Sequence, residues 1–577
     1  MSREIKIEHL TSKKNIPTVT VNGLLLHSKY DPIVEAERIA QSNYSMHHTI
    51  ILFGYGLGYL VDELLNKVEN EHIVIIDPLI ENGFLEICER HKNENKVVYW
   101  EAGHTNTLGY TIAGLSDGLE LKLKTISSPN YDSLFQKEYY KLLRYLRDFQ
   151  DKTQINNNTV TFFAEQWQKN LAYNLTSIVQ DNSLSILQNK FNVPVVIASG
   201  GPSLTKQLPL LKKMEKHVII IAAGSTINSL LAANIEPDFV VSIDGGEPNY
   251  HHFKGLTCEN ARLIYSTFNH HGIRKSFQKK GYVFTAMEQG SIVKYLHDKF
   301  DMEIPMVLGG GTVAHFTYSI AHLLNSGPIA MLGQDLAYTN NQTHAQSNKH
   351  AKQVEQLEDL NVELLKVEGY YGEEVLTSRS FNSMKMTFEE IMKFHIPEVP
   401  VYNCTEGGLK IRGLSQMAFK EFIDEYVDVN ITKDLSILEE ESISNKSNEE
   451  IVKVLKEEQE TLAELQKSLE KAISALEKNK SKTQFKQNTL KKLDKIDKKI
   501  DRLSKDVQVH FLVSPITLDI EMKFLEQPNE TPEETYIRVF KQSETLYRRL
   551  LHAFETSKVL ASEVIEKLEE ESENKND

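Results

Sequence analysis

Four short segments carry residues suited to holding a phosphate or a sugar hydroxyl: Ser199-Gly-Gly-Pro-Ser203, Ala223-Gly-Ser-Thr226, Asp244-Gly-Gly-Glu247 and Gly333-Gln-Asp335. Each is small or polar and follows directly on an apolar run of strand length. Gly200 and Gly201 lack a Cβ, so their backbone N–H groups can approach an anion closely. Ser203 falls where the next helix begins, a position that favours phosphate. Asp244 is an acceptor suited to ribose or sugar hydroxyls. A fifth segment, Gly309-Gly-Gly311, precedes Thr312 and a helix whose apolar stripe is Val313, Phe316, Ile320, Leu323 and Leu324. A glycine triplet at a helix start is an anion cradle with Thr312 as donor. It lacks the lysine of a Walker P-loop. One such turn alone reads as a tight connection between strand and helix. Four in one sheet read as a site.

Other residues speak less directly. The N-terminal run Gly54-Tyr-Gly-Leu-Gly58, with Asp77 at the end of the next apolar run, has the layout of an S-adenosylmethionine site. His251-His252 and His270-His271 are adjacent pairs, and neighbours on a strand point to opposite faces, so a shared metal is the weaker reading. His315 and His322 share a helix face and read as packing or surface. Glu406-Gly-Gly408 follows the last apolar run as a tight turn or a site edge.

The elements that must position these residues fall in three parts. Residues 1–150 hold a βαβ unit, from Thr49–Phe53 through a helix over 60–68 to the strand before Asp77. Residues 128–158 read as a helix ending in a polar linker at Asn156–Asn158. Residues 159–425 alternate strands and helices (VPVVIASG, HVIIIAAG, FVVSIDGG, ARLIYSTF, YVFTAM, PIAMLG and VPVYNC). Short buried strands separated by helices imply a parallel α/β sheet covered on both faces. The fold class is therefore α/β, with a central Rossmann-like or GT-A-like parallel sheet, an N-terminal α/β domain and a C-terminal all-helical domain. Residues 426–577 are rich in Glu and Lys. Leu462, Leu465, Leu469, Ala472 and Leu476, and then Leu493, Ile496, Ile500, Leu503 and Val507, recur at helical spacing. They predict an antiparallel helical hairpin, suited to recognising a protein partner. Thr531-Pro-Glu-Glu534 is a capping box that starts another helix, and the tail ESENKND is expected to be disordered.

The chain has 577 residues, with 65 Lys plus Arg against 80 Asp plus Glu, a formal charge of −15. Such an acidic balance is unsuited to coating nucleic acid. The three cysteines, Cys88, Cys258 and Cys404, are far apart, which excludes a local zinc ribbon and a disulfide framework. With no apolar leader and no membrane-length apolar run, a soluble, cytoplasmic protein is expected.

Four blocks together resemble one family. SGGPSL, AAGSTINSLLAANIEPDFVVSIDGG, GGGTVAHFTYSIAHLLNSGPIAMLGQDLAYTNNQTHA and NCTEGGLKIRG look like the motility-associated factor (Maf) glycosyltransferases. The central part is similar, more distantly, to bacterial sialyltransferases that use CMP-sialic acid. The resemblance implies transfer of a nonulosonic acid, such as pseudaminic or legionaminic acid, from a CMP-activated donor to Ser/Thr hydroxyls of flagellin. No cofactor would be required, no metal is implied, and the partners would be the donor and flagellin, with no nucleic acid and no membrane span. It also implies that Gly200, Gly201 and Ser203 hold the donor, and that Gly224, Ser225 and Asp244 line the nucleoside and sugar. Gly310, Gly311 and Thr312 would meet the cytidine end, with Gln334 beside them and Asp335 and Tyr338 closing the site. Arg379 would add positive charge, and Glu406 would mark an edge. The sialyltransferases carry a catalytic histidine about one strand before the last motif. The matching stretch here, VLTSRSF, has Thr377 and Arg379 but no histidine. His344 stands where they have a phosphate-contacting tyrosine. It would serve as catalytic base or, as an imidazolium, stabilise the departing phosphate, with Asp335 as its catalytic companion.

Two rival readings belong to other classes. A pterin-type diphosphokinase using ATP and magnesium would employ Asp244, Glu247 and Asp335 as metal ligands. A flagellin-binding chaperone with a decayed pocket would need none of the polar turns, and intact Ser203, Asp244 and Asp335 speak against it.

Overall fold

A computed structural model describes residues 5–46, 48–68, 71–99, 108, 111–112, 122–287, 290–349, 363–394, 399–439, 446–480, 484–527 and 530–574. The chain divides into two compact units. One comprises Met1–Phe162, Lys478–Lys486 and Ser514–Leu546, and the other Phe163–Glu477, Gln487–Val513 and Tyr547–Asp577.

In the first unit, β1 (Ile7–Thr11), β2 (Pro17–Val21) and β3 (Leu24–Leu25) form an antiparallel meander. β4 (Thr49–Phe53), β5 (Ile73–Ile76), β6 (Val97–Tyr99) and β7 (Leu123–Ser127) form a parallel sheet in the order β6-β5-β4-β7. Ile51 and Phe53 enter one core and Ile50 and Leu52 the other, the two-residue period of a strand buried on both faces. The helix Gln136–Gln180 runs straight through the expected linker at Asn156–Asn158. Asparagine is only a mediocre helix former, and no Gly or Pro interrupts the span, so nothing local forces an exit.

The second unit is built on a larger sheet. Its strands are β8 (Asn182–Ser183), β9 (Val195–Ala198), β10 (Ile219–Ala223), β11 (Phe239–Ser242), β12 (Arg262–Ser266), β13 (Tyr282–Ala286), β14 (Met306–Val307), β15 (Ile329–Leu332), β18 (Val401–Asn403) and β19 (Ser415–Gln416). They are arranged β14-β13-β12-β11-β10-β9-β15-β18-β19, with β8 beside β13, and every pairing is parallel. Val195 and Ile197 face one core while Val196 and Ala198 face the other. The chain leaves β9 towards β10 on one side and returns to β15 on the other. That border is a switch point, where loops diverge and a parallel sheet opens a crevice at its carboxyl edge. β16 (Leu364–Glu368) and β17 (Glu374–Ser378) form a separate antiparallel hairpin.

The helices Asn448–Glu477 and Gln487–Ser504 bury Leu462, Leu465, Leu469, Ala472 and Leu476, and Leu493, Ile496 and Ile500, the seam the spacing predicts. Glu458 is buried in the same helical layer, accepts from Tyr295 and the Gln508 N–H, and is pushed up to about 7 by burial. Thr531 and Glu534 exchange the hydrogen bonds of a capping box, Thr531 N donating to Glu534 Oε2 at 2.9 Å and Glu534 N to Thr531 Oγ1 at 3.3 Å. The helix they start, Pro532–Glu573, reaches into the segment expected to be disordered. Among the described residues no helix is long and apolar enough to cross a membrane.

Candidate functional site

The turn after β9 and the loop after β15 are locked together. Ser203 Oγ donates to Asp335 Oδ2 at 2.6 Å, Ser203 N donates to Asp335 Oδ1 at 3.1 Å, and Gly201 N donates to the Gly333 carbonyl at 2.8 Å. Glycine is required here by close approach. A Cβ on Gly201 would overlap the Asp335 carboxylate, and one on Gly407 would overlap Ser203 Oγ. Asp335 is 1 % exposed. Desolvation raises its carboxyl, and the Ser203 hydrogen bonds oppose that rise. Ser203 and Asp335 thus brace the turn from within: the hydroxyl expected to meet a donor phosphate faces a carboxylate instead. Gln334 is buried beside them, its N–H donating to Thr405 Oγ1 at 3.1 Å, and its side-chain oxygen has no partner among the described residues.

The other side of the turn is lined by polar side chains. A Cβ built on Gly200 would meet Asn348 Nδ2 at 3.2 Å, Thr226 Oγ1 at 3.3 Å and the His344 ring at 3.8 Å. The loop carrying His344 is tied to the turn, with Ala345 N donating to the Gly200 carbonyl at 2.9 Å and Gln346 N to Thr205 Oγ1 at 3.0 Å. Asn348 Nδ2 donates to Ser225 Oγ at 3.2 Å, joining that loop to the turn after β10. Gly224, at φ +52, lies against Val313, the first residue of the helix Val313–Leu324. Thr312 caps that helix, its hydroxyl accepting from Ala314 N at 3.4 Å. Gly311 faces open space, while Gly310 is packed against Thr387 and His315. The turns after β9 and β10, the start of the Val313–Leu324 helix and the loop after β15 therefore meet at one edge of the sheet.

Asp244 ends the next strand along, β11. Its main chain is held firmly: the Asp244 carbonyl accepts from Asn249 Nδ2 at 2.8 Å, and Asn170 Nδ2 donates to the Gly245 carbonyl at 3.0 Å. The residue is exposed at the surface, yet desolvation by the surrounding protein raises its carboxyl.

Other expected site residues are engaged by neighbouring protein groups, and of these Glu406 adjoins the Ser203 turn, its carbonyl accepting from Lys206 Nζ at 2.6 Å. Arg379, with its side chain 73 % exposed, pairs with Glu363 at 2.7 Å. Tyr338 packs on Phe381 with ring centroids 5.4 Å apart. Glu406 caps the helix Phe419–Tyr426, its Oε1 accepting from Phe419 N at 2.9 Å, and it borders a separate cavity of about 470 Å3 with Tyr371, Lys410 and Glu421. Thr377 is buried and donates to the Leu336 carbonyl at 2.6 Å. His315 is buried, donates from Nε2 to the Met384 carbonyl at 2.9 Å, and is pushed down to about 4 by burial. His270 pairs with Glu247 at 3.1 Å and stacks on Tyr250. Among the described residues no three His, Cys, Asp or Glu side chains are grouped to hold a metal, so Asp244, Glu247 and Asp335 do not form the ligand set of the kinase reading.

In the first unit the glycine-rich turn is filled. Asp77 Oδ2 accepts from Tyr55 N at 2.6 Å and from Tyr131 OH at 2.7 Å, and its Oδ1 accepts from Leu79 N at 2.7 Å. No acceptor is left over for a ribose, which corrects the S-adenosylmethionine layout read from spacing. Asn348 was not singled out by sequence, and Thr226 was named only as the end of its turn. Asn348 lies in an irregular loop with no periodicity to mark it.

Residues 169–341 match the family model described as 6-hydroxymethylpterin diphosphokinase MptE-like. Among solved structures, the MAf glycosyltransferase from Magnetospirillum magneticum AMB-1 is similar over 98% of this chain and 92% of its own, with 15% sequence identity and a TM-score of 0.50. At that identity the likeness is one of fold. No curated protein matches the sequence.

Proposed function

We propose that the protein is a glycosyltransferase that moves a nonulosonic acid from a CMP-activated donor onto Ser/Thr hydroxyls of flagellin. The observation that carries this reading is the cluster of polar groups where Gly200, Ser225, Asn348 and His344 meet at the carboxyl edge of the sheet, set in a fold that matches a Maf glycosyltransferase along nearly its whole length. The cluster suits an anionic leaving group. The Gly200 N–H has no acceptor among the described residues, and the first turn of the Val313–Leu324 helix presents its N-terminal end nearby. Ser225 and Asn348 offer hydroxyl and amide contacts, and Asp244 accepts from a sugar or ribose hydroxyl.

In the transfer, the bond between the anomeric carbon and the phosphate oxygen breaks through an oxocarbenium-like transition state. The acceptor oxygen bonds to that carbon, and CMP departs with the bonding pair. His344 takes the acceptor proton, or as an imidazolium meets the departing phosphate. Asp335 acts at a remove: by gripping Ser203 it fixes the turn that presents Gly200. The C-terminal helices would recognise flagellin. The diphosphokinase reading has less support, because one of its three carboxylates, Asp335, is enclosed against Ser203.

Intact-mass spectrometry of flagellin co-expressed with the protein and a nonulosonic acid pathway tests the proposal. A gain of one nonulosonic acid per modified site is expected, and His344→Ala should lower transfer by about 10²–10⁴-fold while CMP binding persists. Unmodified flagellin with the wild-type protein, or conversion of ATP to AMP in the presence of a pterin, overturns it.

A further inference from the structure

The N-terminal unit contains a cluster the transfer reaction does not use. Cys88 Sγ lies 3.3 Å from His91 Nδ1, and His91 Nε2 lies 2.9 Å from Asp62 Oδ1. The sequence sets this up locally. Cys88 and His91 are three residues apart, with Cys88 capping the one-turn helix Glu89–Lys92, so both side chains fall on one face. Asp62 comes from the helix Tyr59–Leu65 that follows the glycine-rich turn, and Arg90 holds it at 3.0 Å through Nε. Tyr55, inside that turn, places its hydroxyl 2.8 Å from both Cys88 Sγ and His91 Nδ1.

The hydrogen positions follow from chemistry. A carboxylate only accepts, so His91 Nε2 carries the proton shared with Asp62. His91 Nδ1 is then the lone pair, and it faces two donors, the Tyr55 hydroxyl at 2.8 Å and the Cys88 thiol at 3.3 Å, so the thiol proton reaches it directly or by way of the Tyr55 hydroxyl that touches both. Nucleophile, base and orienting acid stand in the order that activates a sulfur. A metal is the wrong occupant, because the two ring nitrogens face opposite ways and the three ligand types do not converge on one point. Acyl transfer is also disfavoured: it needs backbone donors for an oxyanion, and the Cys88 N–H already donates to Tyr55 OH at 3.2 Å. Thiol–disulfide exchange needs no such donors, since its leaving group is a thiolate.

We propose that Cys88 is a modification site that undergoes exchange with small-molecule disulfides, driven by the Cys88–His91–Asp62 relay. His91 Nδ1 takes the thiol proton as Cys88 sulfur attacks one sulfur of R–S–S–R. The S–S bond of the reagent breaks, R–S⁻ leaves, and His91 returns the proton to give R–SH. Cys88 is oxidised to a mixed disulfide, and half of the reagent is reduced. The other cysteines cannot resolve the adduct. Cys258 and Cys404 are 1 % and 0 % exposed, and burial pushes the Cys258 thiol up to about 11. The mixed disulfide therefore persists until an external thiol removes it.

The test uses the full chain with oxidised glutathione from pH 6 to pH 9, following intact mass and mapping the adduct to a peptide. One glutathionyl group on Cys88, formed at pH 7 at least tenfold faster than on the same chain unfolded in denaturant, is expected. His91→Gln should slow the reaction at least tenfold at pH 6–7 and approach the wild-type rate near pH 9, where a free thiol ionises unaided. Asp62→Asn should shift the pH profile in the same direction, and it decides the matter should His91→Gln not fold. A wild-type rate at pH 7 equal to that of the unfolded chain, or a profile unmoved by either substitution, overturns the proposal.

Discussion

The two glycine-rich turns of this protein share a plan and differ in what fills them. Each follows a parallel strand, and each is braced by a buried aspartate from the end of a neighbouring strand: Asp77 for Gly54–Gly58, Asp335 for Ser199–Ser203. In the N-terminal turn the space beside the glycines belongs to the protein itself. The Tyr131 ring occupies the side of Gly54 and the His27 ring the side of Gly56. In the central turn Gly201 is enclosed by Asp335, whereas the side of Gly200 is lined by the polar groups of His344, Asn348 and Thr226. An acid beside a glycine turn is therefore not evidence of a ligand. In both places the acid is a brace, and the capacity to bind is decided by whether aromatic side chains have already taken the cleft.

Alanine placed in the two turns tests that contrast, with the larger effect in the filled one. Gly54 has φ +95, where an L-residue is strained, and a Cβ there would run into the fully buried Tyr131 ring. Gly54→Ala should destabilise the protein by about 3 kcal/mol or more, read from the denaturant midpoint. A loss below about 0.5 kcal/mol would mean that the turn is looser than described and that the contrast fails.

The central turn should respond the other way. Alanine at Gly200 needs neighbours to give by a few tenths of an ångström, and Gly311 has nothing within 4 Å. Gly200→Ala and Gly311→Ala should each keep stability within about 1 kcal/mol. CMP affinity should fall about tenfold, roughly 1.4 kcal/mol, because the methyl at Gly200 displaces Asn348 and His344 from their places beside the donor, and the methyl at Gly311 enters the space the nucleotide would take. Calorimetric titration showing undiminished CMP binding in both variants would remove these turns from the donor site.

This contrast also marks how far the sequence could be read. The parallel sheet and its carboxyl-edge turns were legible because buried strands flanked by helices leave continuous β-branched runs, as in Val195–Ala198 and Ile219–Ala223. The C-terminal seam was legible from its period. What could not be read was the direction a polar side chain takes. Ser203, Asp335 and Asp77 all have the right type and spacing for ligands, yet their hydrogen-bonding capacity is used inside the protein by residues distant in the chain. Arg379 illustrates the same limit, since its partner Glu363 lies across the β16–β17 hairpin and draws it to the surface. Asn348 was invisible because a loop position carries no periodicity.

Asp244 gives the smallest predicted effect and the sharpest sign. Desolvation lifts its folded-state carboxyl above the ordinary aspartate value of 3.8. Between those two values the folded chain holds more protons than the unfolded one, so this group's contribution to stability falls as pH rises through the interval and stays lower above it. Asparagine has no charge to desolvate. Asp244→Asn should therefore be more stable than the wild type at pH 7 and indistinguishable from it at pH 3, where both side chains are neutral. Solvent at this open position keeps the gain under about 1 kcal/mol. A structural brace behaves oppositely: Asp77→Asn should lower stability at pH 7, because the carboxylate's several hydrogen bonds cannot all be reproduced by an amide. A carboxylate whose removal stabilises the fold but weakens CMP-sugar binding is one held ready for a ligand. Loss of stability in Asp244→Asn at pH 7 would place Asp244 with Asp77 among the braces and take it out of the site.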